Sequence, residues 1–191
     1  MLTRRTLLAA ACAAPFVRPA RADAGLALVV AARRQIGVTT IYDPAYAQLG
    51  YPMGDVPRER GVCCDVVIRA LRDALNVDLQ QLVHEDMRGH FGRYPRLWGL
   101  TSTDRNIDHR RVPNLRRFFE RQGLEQAAGG DVRPGDIITM TVPPNLPHIA
   151  IATDAPGASG LPAIVHNIGR GTKEEDRLAQ FPITGHYRWM A

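Results

Sequence analysis

The chain has 191 residues and 45% hydrophobic residues, enough for one domain with its own core. No apolar run after residue 35 reaches the about 20 residues needed to cross a bilayer, so no integral membrane segment is expected beyond the N-terminus. Cleavage after Ala22 would remove Arg4, Arg5, Arg18 and Arg21 and turn 24 Lys+Arg against 19 Asp+Glu into 20 against 19, so the basic character gives no reason to expect a nucleic-acid partner.

Residues 1–24 read as an export signal. Arg4 and Arg5 give a charged start, Thr6 to Phe16 a short apolar centre, and Ala20-Arg21-Ala22 a small-x-small cleavage pattern. The adjacent arginines also fit a twin-arginine route. Cys12 follows "LAAA", an imperfect lipoprotein site, and cleavage near Ala22 is preferred to lipid attachment there. The expected location is the periplasm or the exterior, with residues 25–191 as a single domain.

In chain order, "GLALVVAARRQIG" (25–37) is a first helix ended by Gly37. Residues 38–62 carry Pro44, Pro52, Pro57, Gly50, Gly54 and Gly61 and read as an ordered loop region. From Cys64 to Leu75, Val67, Ala70, Leu71, Ala74 and Leu75 fall on one helical face. Asp78 followed by Gln81 resembles a capping box opening "LQQLVHEDMRGHF". Pro113 starts a short helix that Gly123 stops. After residue 130 the runs "RPGDIITMTV", "LPHIAIATD", "PAIVHNIG" and "HYRWM" are β-rich and bounded by turn residues. Helices first and strands afterwards predict an α+β domain with an antiparallel sheet.

Signal cleavage would leave Cys63 and Cys64 as the only thiols. Neighbouring cysteines make a poor disulfide, and they lack the two-residue gap of the usual zinc and redox pairs. A nucleophile fits better, with an inert buried pair as the alternative. The pair lies at the expected start of a helix, where unsatisfied N–H groups and the macrodipole favour a thiolate. Gly61 permits close backbone approach, and nearby N–H groups could form an oxyanion hole. A thiolate also needs an imidazole and a group to orient it. Of six histidines, His148 opens one expected strand and His166 lies on the next, and neighbouring antiparallel strands can bring such side chains together. Residues 63 and 64 point about 100° apart on a helix, so only one can face His148. Spacing does not decide which.

"GVCCDVVIRA", "RPGDIITM", "LPHIAIATD" and "IVHN" resemble the cysteine, Gly-Asp strand, histidine strand and third-polar-residue strand of NlpC-type cell-wall cysteine peptidases. "YPMGD" resembles the tyrosine-x-x-glycine element of that family. The strings "YPMGDVP", "VHEDM", "NIDHRRVPNL", "LPHIAI", "VHNIG" and "ITGHYR" resemble the exported family known as domain of unknown function 1287, over most of residues 40–188.

The NlpC resemblance implies a papain-like fold, a catalytic cysteine helix packed on an antiparallel sheet, and amide cleavage in peptidoglycan stem peptides. It implies Cys63 as nucleophile, His148 as general base and acid, His166 as the orienting residue, and Tyr51 as a shaper of the oxyanion site. Cys64 then stands where the pattern has a small residue. No cofactor or metal is implied, and the expected partner is peptidoglycan or another peptide substrate. The chain departs from the pattern in Asp55, where a second glycine is usual, and in an insertion at residues 78–125 that would reshape the cleft.

Asp65 is expected to cap the cysteine helix. His84, Glu85 and Asp86 form a weak metal motif, because adjacent helical residues do not share a face. Arg110, Arg111, Arg116, Arg117 and Arg121 are either a solvated face or a contact for an anionic substrate, since arginine pairs with carboxylates through two parallel bonds. The rival functions are a wall-binding module without turnover, a zinc hydrolase drawing on His84, His109, His148 or His166, and an acyl transferase using the same Cys–His pair.

Overall fold

The structure, a computed structural model, describes residues 21–127 and 130–189. The expected signal at 1–24 therefore lies almost wholly outside the described residues. Residues 21–24 form the first turn of helix α1, Arg21–Arg33. Strand β1 (Ile41–Tyr42) and strand β2 (Arg60–Gly61) follow, then helices α2 (Cys63–Leu75), α3 (Leu79–His90) and α4 (Val112–Arg121). Five strands complete the chain: β3 (Ile137–Val142), β4 (Leu146–Pro156), β5 (Pro162–Asn167), β6 (Thr172–Glu175) and β7 (Ile183–Tyr187). They form one antiparallel sheet in the order β6-β5-β4-β3-β7. The domain is α+β, with helices preceding the sheet.

Alternation along the strands sorts the sheet into two faces. Ile137, Ile149, Ile151, Val165 and Tyr187 join the helical core, against Val66, Val67, Ala70 and Leu71 of α2 and Leu28 and Ala32 of α1. Ile138, Met140, Ala150, Ala152 and Ile164 face the other way and are covered by Leu178, Val132 and Phe181. The nine residues Cys63 to Leu71 are all buried, so α2 is a central helix rather than an amphipathic one lying on the surface.

The α2 sequence explains both of its ends. The Val62 N–H donates to the Asp65 carboxylate at 2.7 Å, and the Asp65 N–H returns to the Val62 carbonyl at 3.1 Å. Asp65 thus caps the helix, as expected. At the other end Asn76 takes the left-handed conformation at φ 54°, which asparagine tolerates better than most residues.

Arg69 lies on α2 at 0% exposure and organises the 38–62 loop. Its guanidinium pairs with Asp55 through bonds of 2.9 Å from Nε and 2.9 Å from Nη2. It also donates to Thr39 Oγ1 and to the carbonyls of Val56, Arg58 and Arg60. A loop rich in proline and glycine has few backbone bonds of its own, and a buried planar donor supplies them. Asp55, the departure from the NlpC pattern, is the counter-charge this arrangement needs. The loop also holds the parallel β1–β2 ladder, Ile41 opposite Arg60 and Tyr42 opposite Gly61, which brings Tyr42 beside the residues leading into Cys63.

The insertion at 78–125 contains α3, α4 and two 3₁₀ turns, and Arg121 clamps Asp86 across the two helices at 2.7 and 3.0 Å. Among the described residues no helix is long and apolar enough to cross a membrane.

Arg69→Met should lower unfolding free energy by about 3–5 kcal/mol, because it strands a half-buried carboxylate and frees the loop carbonyls. Urea unfolding followed by tryptophan fluorescence measures this; a loss under 1 kcal/mol would contradict the assigned role.

Candidate active site

Four elements converge on the start of α2. His148 near the start of β4 and His166 near the end of β5 come together just beyond the last pair of the two strands, Ile151 opposite Val165. His148 Nε2 lies 2.8 Å from His166 Nδ1, with the rings near perpendicular at 75°. His166 Nε2 lies 3.0 Å from Glu175 Oε2. Asn167, the next residue on β5, donates to the Gly61 carbonyl at 3.1 Å and ties the sheet to the turn that carries the cysteines.

The proton positions in this chain follow from its last member. A carboxylate can only accept, so His166 Nε2 carries the hydrogen. His166 Nδ1 then accepts from the Nε2–H of His148, and His148 Nδ1 is the nitrogen left to serve Cys63, whose thiolate His148 favours. The Cys64 thiol, His148 and the Ile149 N–H favour the Cys63 thiolate. Together they hold Cys63 well below the ordinary thiol range, against the opposing effect of burial. Cys64 moves the other way, pushed well above that range by its bond to Cys63 and by burial. Burial and the neighbouring His148 lower His166 to about 4, against the pull of Glu175, so His166 stays a neutral acceptor at ordinary pH.

The cysteines open onto a cleft of about 190 Å³ lined by Tyr42, Trp98, Arg110, Arg111, Pro113 and Pro147, among others. Its far wall, Trp98 and residues 107–113, comes from the 78–125 segment. Arg110 reaches back from that wall to Asp65, at 2.9 Å from both Nε and Nη2, with both side chains buried. The wall is thereby fixed to the helix end that presents Cys63.

Cys63, His148 and His166 are brought together. Tyr51 is not: its ring packs edge-on against His84 at 5.5 Å, with the Arg105 guanidinium 5.5 Å from its centre. The tyrosine on the cleft is Tyr42. Burial and the adjacent Cys63 and Cys64 push its hydroxyl up to about 12, which keeps it a hydrogen donor. His84 and His109 lie in the insertion. Burial lowers His109 to about 3 and raises the neighbouring Asp108 to about 6. Among the described residues no group of three or more His, Cys, Asp or Glu side chains is placed to hold a metal ion.

Sequence reasoning missed Glu175 and Tyr42. "TKEE" has no apolar alternation, so β6 was not read as a strand. The readable signal was its position, one short turn after the "VHN" strand.

The profile of the family described as Domain of unknown function (DUF1287) matches residues 29–189. The chain is also 49% identical over 179 residues to the uncharacterized protein YijF of Escherichia coli (strain K12), an overlap covering 92% of this chain and 87% of that one.

Replacing Glu175 by leucine removes the acceptor that fixes the His166 tautomer. The Cys63 thiol should then titrate at higher pH, so that its alkylation by iodoacetamide, followed across pH 4–9, reaches half of its plateau rate at a higher pH than in wild type. A midpoint of that pH profile equal to wild type would show that Glu175 does not orient the pair.

Proposed function

This chain belongs to the DUF1287 family, a membership that names no activity, and we propose that the protein is an exported cysteine amidohydrolase of papain-like layout acting on peptidoglycan stem peptides. The observation that carries this reading is the hydrogen-bonded series His148, His166, Glu175, with His148 favouring the thiolate of Cys63 at a helix N-terminus beside a cleft. Structural histidines seldom need a neutral histidine and a carboxylate in series, whereas a base that must hold a positive charge does. The papain-like part is supported by a cysteine at the start of a central helix packed on an antiparallel sheet that supplies the base. The export part rests on residues 1–24 alone, and the peptidoglycan target on the resemblance to NlpC-type enzymes.

The chemistry follows from the proton positions. Cys63 sulfur attacks the amide carbonyl carbon while its proton resides on His148 Nδ1. The resulting imidazolium still donates through Nε2 to neutral His166, so its charge is stabilised without a second proton transfer. The tetrahedral oxyanion faces N–H groups of the first turn of α2 and the Tyr42 hydroxyl, donors that need no reorganisation. Collapse expels the amine, which takes the proton from His148, and leaves a thioester on Cys63. Water then attacks the thioester with His148 as base, releasing the acid and restoring the thiol. Cys64, held protonated, acts as a donor to the nucleophile rather than a second nucleophile.

The test is incubation of purified protein with peptidoglycan sacculi, with released fragments identified by mass spectrometry. Wild type and Cys64→Ser should release new amine and carboxyl ends, and Cys63→Ala should release none while melting at the same temperature within a few degrees. Equal release by wild type and Cys63→Ala would remove the nucleophile.

A further inference from the structure

The five arginines of the 110–121 segment are not equivalent. Arg110 is engaged by Asp65, Arg116 and Arg117 by Glu120, and Arg121 by Asp86. Arg111 has no carboxylate partner within 4 Å among the described residues, and its Nη1 is buried with no hydrogen-bond partner among them. Instead its guanidinium lies over the Trp98 ring, 4.2 Å from the centre. Trp98 is 53% exposed and is presented by a tight turn in which it and Gly99 both have positive φ, 60° and 67°. Both side chains line the cleft into which Cys63 and Cys64 open.

A half-buried guanidinium without a counter-charge is costly, and one with a buried, unanswered N–H is more so. A cation over a tryptophan ring is held there by the ring's electron density, and guanidinium can still donate two parallel bonds to a planar two-oxygen acceptor. Asp104 and Asp108 are close enough to act on Arg111 through space but do not bond to it. The part of the fork that lines the cleft, free of any carboxylate, is thus left to meet a ligand.

We propose that Arg111, held over the Trp98 ring, binds a free carboxylate of the substrate, so that the enzyme prefers amides with a carboxylate close to the scissile bond. The small cleft sets the range: at about 190 Å³ it falls below the roughly 300–1,000 Å³ of cavities that enclose a drug-sized ligand. Arg111 and Cys63 line this same small cleft, which puts the carboxylate near the scissile carbonyl. This specificity rests on the amidohydrolase reading, since it presumes that Cys63 is where the bond is cut. The carboxylate site itself can be tested without turnover.

Two measurements separate the two ideas. In the first, Cys63 is alkylated with iodoacetate, which carries a carboxylate, and with iodoacetamide, which does not. Wild type should favour iodoacetate, relative to iodoacetamide, by tenfold or more over Arg111→Gln, with the iodoacetamide rate unchanged. Arg117→Gln, outside the cleft, should behave as wild type. In the second, Cys63→Ala protein is titrated with N-acetylalanine and N-acetylalaninamide while Trp98 fluorescence is followed in a Trp189→Phe background. The acid should give a saturable change, the amide none, and Arg111→Gln should abolish the response to the acid, with Arg111→Lys restoring only part of it. Unchanged preference in the first measurement, or equal binding of acid and amide in the second, would overturn the proposal. Slow alkylation of Cys63 by both reagents would instead count against the nucleophile, and the fluorescence titration would still decide the carboxylate site.

Discussion

The contact between the sulfur of Cys63 and the ring of His148 is the interaction on which the rest of the site depends. It has a direction because the chain of donors beyond it has one end that can only accept. Glu175 takes the Nε2–H of His166, which turns the Nδ1 of His166 into an acceptor for His148, which frees the Nδ1 of His148 for the thiol. Burial keeps His166 neutral, so positive charge appearing on His148 meets a lone pair and not another cation. Each ring orientation follows from its neighbour's.

That contact would be loose if the helix start could move. Three unrelated ties restrain it. Asp65 closes the first turn and is itself gripped by Arg110 from the insertion. Asn167 holds the Gly61 carbonyl from the same strand that carries His166. Arg69 fixes the loop through which the chain enters. Gly61 sits where these meet, and a Cβ added there would come within 3.1 Å of Asp65 Cβ and 3.3 Å of the Arg69 guanidinium. The glycine is needed for close approach, not for its dihedral freedom. The insertion thus builds the cleft wall and also steadies the nucleophile, which explains why a buried ion pair, an otherwise expensive device, is used at the join.

The legible parts of the sequence were those with strong local signals. Apolar runs bounded by turn residues identified β3, β4 and β5 and only the end of β7, which starts at Ile183, three residues before the expected run, and the α+β order followed from them. Asp78 and Pro113 marked helix starts that the structure places at Leu79 and Val112. Cys63, His148 and His166 stood out because rare residue types fell at element starts and on neighbouring strands. What failed to show depended on long-range placement. Glu175 lies on a charged edge strand that exists because β5 offers it partners. Tyr42 reaches the cleft through a two-residue parallel ladder too short to leave a periodic trace, whereas the more recognisable Tyr51 packs away from it. Arg69 reads as the polar side of an amphipathic helix, yet it is wholly buried because the loop surrounds it. The five arginines look alike in the sequence, and only the fold shows that four have partners.

The most direct measurement is the ultraviolet absorbance of the thiolate as a function of pH, taken as the difference between wild type and Cys63→Ser. The Cys63 signal should persist well below the ordinary thiol value of about 8.5 and shift upward in His148→Ala. A Cys63 that titrates at or above that value, indifferent to His148, would contradict the account.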